Sequence, residues 1–427
     1  MRRGSQHTEF WILLSLTLAS VILRFWRLGW PGEIVFDETY YAKWGHDYLQ
    51  GIKFFDVHPP LGKLLIGIGG QVFGSDPASG LGPVGWRFAV ALFGLFIVPL
   101  TYLVARKLFT DSGQLIRHSE FRIQNSRRIA ALAAFFVLID GLILVQTRIA
   151  LLDSFLVTFS LAAYLSFLHY RDATQAKEAN LRLLATGIFL GLALATKWTA
   201  VAPFGVIFIW WWSLHRAVPP TSFLTKLASF LIIPLGIYIA SFTLNVRDPG
   251  VGFWHYLFDW HRQTWNFHEH LTATHPYASR WWSWLYLARP VWYYYKEDSG
   301  LVRGVIALGN PILWWVSIPA LLAGAWYGVR HHYLPLLIAI LAFLATYVPW
   351  TIIGRTEFQY YLVGGVPFMF IVLAWWTDRL MTTQYKHFAW LLIILAALTF
   401  LFFFPLYTAT PIPTWFYKLH IWFPSWI

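Results

Sequence analysis

Apolar segments recur along this chain at the length a membrane demands. Stretches of about twenty apolar residues, each able to cross some 30 Å of hydrocarbon as a helix, lie near Phe10–Leu28, Trp86–Val104, Arg128–Val145, Ala150–Phe167, Leu181–Thr196 and Ala200–Leu214. Five more follow near Leu227–Leu244, Pro311–Val329, Leu334–Trp350, Tyr360–Trp376 and Phe388–Leu406. The pattern predicts an all-α polytopic membrane protein of about 11 transmembrane helices, not a barrel of short alternating strands. A further segment, Leu61–Phe73, is too short and too rich in glycine to span and is expected to be interfacial or re-entrant. Composition closes the soluble alternative. With 58% hydrophobic and 12% charged residues, a water-soluble fold of 427 residues has too little polar surface to cover its apolar groups.

The short loops orient the bundle. Arg2, Arg3, Arg106, Lys107, Arg117, Arg122, Arg127, Arg128, Arg171, Lys177, Arg182, Arg216, Lys226, Arg330, Arg379 and Lys386 fall on one face if eleven helices alternate. The positive-inside bias makes that face, and the N-terminus, cytoplasmic. The outer face then receives residues 29–85, the long segment 245–310 and the tail 407–427, all within one membrane domain spanning 1–427. The net charge of +12 is accounted for by loops facing anionic lipid, so no nucleic-acid partner is called for. Absence of cysteine removes disulfides, thiolate nucleophiles and cysteine metal sites. The first helix follows Arg2 and Arg3 closely and is long enough to remain as an anchor.

The first outer loop carries the candidate chemistry. Asp37 and Glu38 stand together after the first helix, followed by His58-Pro59-Pro60-Leu61-Gly62-Lys63. Acids at a bilayer edge need water, a partner or a substrate, and this chain has few to spare. Arg148, Lys197 and Arg355 stand at the outer helix ends, joined by Arg87 and Lys63. At headgroup depth such cations should meet a carboxylate or the phosphate of a lipid. Arg148 has Asp153 as an available partner and Arg355 has Glu357, whereas Lys197 has no acid within its own helical turn. Asp56 and Asp76 read as loop solvation or helix caps, and His58 as a brace for Asp37.

The second outer segment gathers His255, His261, His268, His270 and His275 among tryptophans and ends in Trp292-Tyr293-Tyr294-Tyr295. It is expected to lie as interfacial helices, either as an aromatic belt or as a sugar-stacking rim. His268-Glu269-His270 lacks the four-residue spacing that sets two imidazoles on one helix face, so no metal site is predicted and no cofactor is implied. A carboxylate, lipid-level cations and an aromatic rim together suit glycosyl transfer from a polyprenyl phosphate sugar. One carboxylate removes the acceptor's hydroxyl proton while cations take up the charge of the departing phosphate. A flippase using Asp37 and Glu38 for proton coupling would need acids near helix middles and inverted repeats, but Asp140 and Asp153 lie near helix ends and no repeat is visible.

Phe36-Asp37-Glu38, then Phe54-Phe55-Asp56-Val57-His58-Pro59-Pro60-Leu61-Gly62-Lys63 and Trp86-Arg87-Phe88, closely resemble the first outer loop of the protein O-mannosyltransferase family. The resemblance continues through Arg148–Ser154, Gly191–Trp198, His275–Ser279, Arg289–Tyr294 and Arg355 with Phe358, Tyr360 and Tyr361. It implies a GT-C fold that transfers mannose, with inversion, from polyprenyl phosphate mannose to Ser or Thr of a secreted or membrane polypeptide. Asp37 matches the family's proposed base, and Glu38 its neighbour that helps hold the acceptor. Arg87 and Lys197 match donor-phosphate positions, with Lys63, Arg148 and Arg355 grouped beside them. His58, His275, Tyr277 and Tyr361 are placed on the sugar and acceptor side.

Two departures stand out. Some family members carry a β-trefoil domain in the second long outer loop, whereas this chain has about 65 residues there and resembles the shorter bacterial members. Thr39-Tyr40-Tyr41 replaces a His-Phe that many members have after the acidic pair. The expected setting is a bacterial-type plasma membrane, with the site on its outer face and the secretion channel as a source of unfolded acceptor. A related GT-C enzyme moving another sugar to a lipid or wall polymer is the alternative.

Overall fold

A computed structural model describes residues 2–77, 82–110, 126–214, 220–245 and 247–427. Of the predicted basic face, Arg117, Arg122 and Arg216 lie outside the described residues, as do the side chains of Arg2 and Arg3.

Helices stand at every one of the eleven apolar segments. Six are long and apolar enough to cross a membrane by length and composition: His7–Phe25, Pro83–Thr110, Phe223–Leu244, Pro311–Arg330, Leu334–Thr351 and Lys386–Tyr407. The others are Ser126–Leu138 with Gly141–Gln146, Asp153–Arg171, Ala176–Leu194, Val201–Ser213, and Gln359–Gly364 with Val366–Met381. These are shorter, interrupted or more charged at their ends, and some sit inside the bundle. Residues Ile129 to Leu138 and Val366 to Leu373 are largely buried against protein and not lipid.

The break between Ser126–Leu138 and Gly141–Gln146 has a clear cause. Asp140 is fully buried there and accepts from the Ile143 and Asn310 amides at 2.9 Å each and from Trp314 Nε1 at 2.8 Å. It caps Gly141–Gln146 and locks that helix to Pro311–Arg330.

Polar contacts draw one set of loops together. Arg148 after the third segment donates to Leu23 O at the end of the first, and Leu61 N–H donates to Ala195 O at the end of the fifth. Trp260 Nε1, beyond the seventh, donates to Asp56 O at 2.8 Å; Ser279 N–H meets Glu357 O beyond the ninth; Trp30 Nε1 meets Ala409 O beyond the eleventh. At the opposite end, Glu9 pairs with Arg106 and Arg127, Lys107 with Asp172, and Arg128 with Asp378. Loops following alternate helices therefore share an end.

In the first loop, helices Glu38–Gln50 and Leu61–Val72 cross through glycine. A Cβ on Gly45 would lie 2.7 Å from Lys63 O and 2.8 Å from Gly67 N, so the two backbones touch. Leu61–Val72 is a 12-residue helix, as its length required.

The second outer segment corrects the all-helical expectation. Helix Phe253–Glu269 is present, but Trp292-Tyr293-Tyr294-Tyr295 lies in a strand, β1 (Val291–Asp298), antiparallel to β2 (Leu301–Ala307). β2 in turn pairs with β3 (Ile412–Pro413) from the tail, giving the order β1-β2-β3. The turn is Ser299-Gly300, both at positive φ (51° and 76°), which matches the twist of a two-residue hairpin. A dense run of aromatic and β-branched residues ending in Ser-Gly was the signal for it.

Candidate active site

Asp37 lies just ahead of helix Glu38–Gln50, and the residue before it is under constraint. Phe36 takes a left-handed φ of 52°, which is costly for a side chain that branches into a ring. Its ring stacks on Tyr293 of β1 at 4.0 Å and 9°, and Tyr293 OH accepts from Gln146 Nε2 at 2.8 Å. The hairpin thus holds the turn that presents Asp37. The Asp37 side chain makes no capping hydrogen bond and has no ion-pair partner among the described residues. Burial raises its pKa to about 6; Lys197 pulls it down, and Asp153 and Asp56 push it up. An unpartnered carboxylate with an affinity for protons near neutrality is suited to general-base work.

Glu38, one residue on, is wholly different. It is fully buried and holds Arg87 in a two-point pair, Nε to Oε1 at 2.7 Å and Nη2 to Oε2 at 2.8 Å. It also accepts the Val35 and Ala150 amides at 3.0 Å each. Arg87, fully buried, spends its remaining donors on Leu28, Pro31 and Glu33 carbonyls. The expected acceptor contact by Glu38 and phosphate contact by Arg87 give way to a structural pair, because both groups are saturated and out of solvent.

Two further phosphate candidates are likewise spent. Lys63 is fully buried against Asp56 and the His58 carbonyl. Asp56 is therefore a buried counter-ion and not a solvated loop acid. Arg148, 3% exposed, donates to the carbonyls of Leu23, Arg24 and Arg27 and does not pair with Asp153.

Asp153 instead meets Lys197 across the bundle at 2.9 Å. Sequence spacing could not show this, since the partner comes from another helix. Lys197 and Arg355 are the two cations left at the site. They flank the Tyr361 ring, with Nζ 5.9 Å and Cζ 5.7 Å from its centroid. Tyr361 stacks on Trp350 at 4.5 Å. Arg355 Nη1 reaches His268 Nδ1 at 3.2 Å. Glu357 is not its ion-pair partner among the described residues: Glu357 accepts the Trp281 amide at 3.2 Å.

Around Asp37 stands an aromatic wall. Phe36 lies edge-on to Tyr360 at 6.0 Å, Tyr360 stacks on Phe358 at 5.3 Å, and His275 lies edge-on to Phe358 at 5.1 Å. His275 is exposed and accepts the Tyr277 amide at 3.1 Å, while Tyr277 lies under Arg289. His58 does not bond to Asp37; its ring lies between Tyr41 at 6.2 Å and His268 at 6.4 Å. Burial, then Lys197 and Lys63, hold His58 well below its usual pKa, so it is neutral. Among the described residues no group of three or more His, Asp and Glu is arranged to hold a metal ion.

Of the residues singled out, Asp37, Lys197, Arg355 and Tyr361 meet at this site, with His275 and Tyr277 on its rim. Tyr41, Asp153, His268, Tyr293 and Tyr360, named above in motifs or as an ion-pair partner but not as site residues, join it. Asp37 acts on the phenols of Tyr41 and Tyr293, which burial first, and that charge after it, raise well above their usual pKa.

Residues 14–248 match the model of the dolichyl-phosphate-mannose-protein mannosyltransferase family, and residues 253–426 match the C-terminal four-transmembrane region of protein O-mannosyltransferases. A polyprenol-phosphate-mannose–protein mannosyltransferase of Mycolicibacterium smegmatis is 27% identical, over 96% of this chain and 92% of the relative. One of Corynebacterium glutamicum is 28% identical, over 92% and 88%. Among solved structures, the S. cerevisiae protein O-mannosyltransferase Pmt1-Pmt2 complex bound to the sugar donor superposes with a TM-score of 0.81 at 16% identity, covering 98% of this chain and 93% of that one. ArnT of Cupriavidus metallidurans bound to undecaprenyl phosphate gives a TM-score of 0.59 at 18% identity, over 94% and 71%. The fold is that of the GT-C proteins.

Proposed function

Because the chain belongs to the dolichyl-phosphate-mannose-protein mannosyltransferase family, we propose that it moves mannose from a polyprenyl phosphate carrier to Ser or Thr hydroxyls of polypeptides. It is a multi-span integral membrane enzyme of GT-C type. The observation that carries the site assignment is the unpartnered Asp37 carboxylate in the field of Lys197, with Lys197 and Arg355 both over the Tyr361 ring.

In this reading the acceptor hydroxyl oxygen bonds to the anomeric carbon as its proton passes to Asp37. The bond from that carbon to the phosphate oxygen breaks with its electron pair, and Lys197 and Arg355 balance the charge left on the phosphate. A single displacement inverts the anomeric centre and needs one base. Asp153 holds Lys197 in place before the phosphate arrives. Phe36, Tyr293, Tyr360 and Phe358 form the apolar wall against which a sugar face can stack, and His275 and Tyr277 mark the acceptor entrance. The site faces the outer side of a bacterial-type plasma membrane, with residues 29–85, 245–310 and 407–427 on that side and the N-terminus in the cytoplasm. Acceptors delivered unfolded by the secretion channel would reach it most readily.

The test is transfer from a short-chain polyprenyl phosphate mannose to a Ser/Thr-rich peptide by purified protein, comparing wild type with Asp37→Asn and with EDTA added. Wild-type transfer with an inactive variant supports the reading, and the EDTA arm reports any metal requirement. Donor consumption only with lipid or glycan acceptors would move the acceptor class to the related transferases.

A further inference from the structure

His268 sits in the last turn of helix Phe253–Glu269, in a segment that the sequence reads as an aromatic belt or a sugar-stacking rim. Its ring is placed between two other outer loops. Nδ1 faces Arg355 Nη1 at 3.2 Å. The ring also lies 6.4 Å from that of His58 in the first outer loop. A guanidinium has donors and no acceptor, so Nδ1 must be bare and the ring proton must sit on Nε2.

We propose that neutral His268 is a positioning residue for the donor phosphate: it aims Arg355 across Tyr361 toward the anion and ties that aim to the first outer loop. This rests on the mannosyltransferase reading, in which Arg355 meets the phosphate. Arg355 has no carboxylate partner among the described residues, and its other close neighbours are the faces of Trp350 and Tyr361, at 5.9 and 5.7 Å. Aromatic faces hold a cation loosely in direction. Among the described residues the imidazole nitrogen is thus the one directional contact on the guanidinium, and it leaves the other nitrogens for a ligand.

Protonation would destroy this arrangement, because an imidazolium would oppose the guanidinium with a second positive charge. Burial first, and Arg355 next, lower the pKa of His268 to about 4, against a smaller upward pull from Val57. The charged and titratable groups facing this ring are Arg355 and His58, and His58 is itself held neutral. Trp198, at 6.2 Å, adds an uncharged wall beside Lys197.

The experiment uses the full-length protein in detergent, with polyprenyl phosphate binding read by intrinsic tryptophan fluorescence and mannosyl transfer read separately. His268→Ala is expected to weaken polyprenyl phosphate binding and raise the donor KM by roughly tenfold, about what one charge-assisted hydrogen bond supports. The acceptor KM should not move. His268→Asn, whose amide oxygen can take the place of Nδ1, should restore most of the loss. In an Arg355→Ala background, His268→Ala should add nothing further. Additive losses, or Asn behaving like Ala, would overturn the proposal and leave His268 a packing residue. Phosphate binding that responds to His268 in a protein that transfers no mannose would sustain the positioning role and reject the mannosyltransferase reading.

Discussion

Glu38 and Arg87 form a two-point ion pair with neither side chain exposed to solvent. The pair joins the first outer loop to the helix that begins at Pro83, and its other hydrogen bonds bring in Ala150 and the turn at Leu28–Glu33. It is the joint on which the neighbouring Asp37 is mounted.

Breaking the joint from one side should cost stability more than substrate affinity. Glu38→Ala or Arg87→Ala leaves a buried charge without its partner, worth about 3–5 kcal/mol. Thermal melts in detergent should show a marked loss for each single variant, with Glu38→Met/Arg87→Met recovering part of it. A normal melt combined with a raised acceptor KM in Glu38→Ala would contradict the structural role.

Asp37 predicts the opposite pattern. Asp37→Asn should lower transfer by about two or more orders of magnitude without lowering stability. The folded pKa of Asp37 is raised from 3.8 to about 6. The ionised group therefore opposes folding as pH rises from near 4 to 6, and fully above 6. Removing the charge should leave the melting temperature at pH 7.5 equal or higher, and a clear drop would point to a structural contact instead.

The same shift sets a pH profile. The kcat/KM for transfer should rise through about pH 6 as Asp37 of the free enzyme loses its proton. Asp153 pushes that pKa up and Lys197 pulls it down, with Asp56 adding to the upward push. Asp153→Asn removes one anion and frees Lys197 from its 2.9 Å pair, and both effects favour the Asp37 carboxylate. Its acidic limb should move to lower pH, whereas Lys197→Met should move it higher. An unmoved limb in both variants would assign the titration to another group.

Gly45 offers a purely steric test. Its backbone meets Lys63 O and Gly67 N so closely that a Cβ would sit at 2.7 and 2.8 Å. Gly45→Ala should destabilise by about 1–3 kcal/mol, because the obstacle is backbone and cannot swing away. Gly51→Ala, in open space but at φ 66°, should cost no more than about 1–2 kcal/mol from local strain. Comparable melts for wild type and Gly45→Ala would show that the two helices can separate.

Much of the fold was legible because it is local. Apolar runs of spanning length mark helices whatever their neighbours do, and a helix stands at each of the eleven marked segments. The Ser299-Gly300 hairpin was legible too in principle, but its strands are as apolar as a helix, and that hid their period. Six of the eleven segments are long and apolar enough to cross a membrane by themselves. The interior ones take their apolar surroundings from other helices, and that exchange is not visible one segment at a time.

By itself the sequence determined the membrane class, the loop that carries Asp37, and the scarcity of charges that makes each one informative. Only the tertiary structure decided which charges neutralise one another. Glu38 took Arg87, Asp56 took Lys63, and Asp153 took Lys197, while Arg355 was left to His268 and the aromatic faces. The physical reason is that a buried charge must find a partner, but the Coulomb and hydrogen-bond terms act over a few ångströms of space and take no account of distance along the chain. Glu38 and Arg87 stand 49 residues apart, and Lys197 and Asp153 stand 44 apart. Once those pairs form, Asp37 and Arg355 stand at the site without an ion-pair partner among the described residues, and Asp153 holds Lys197 beside them.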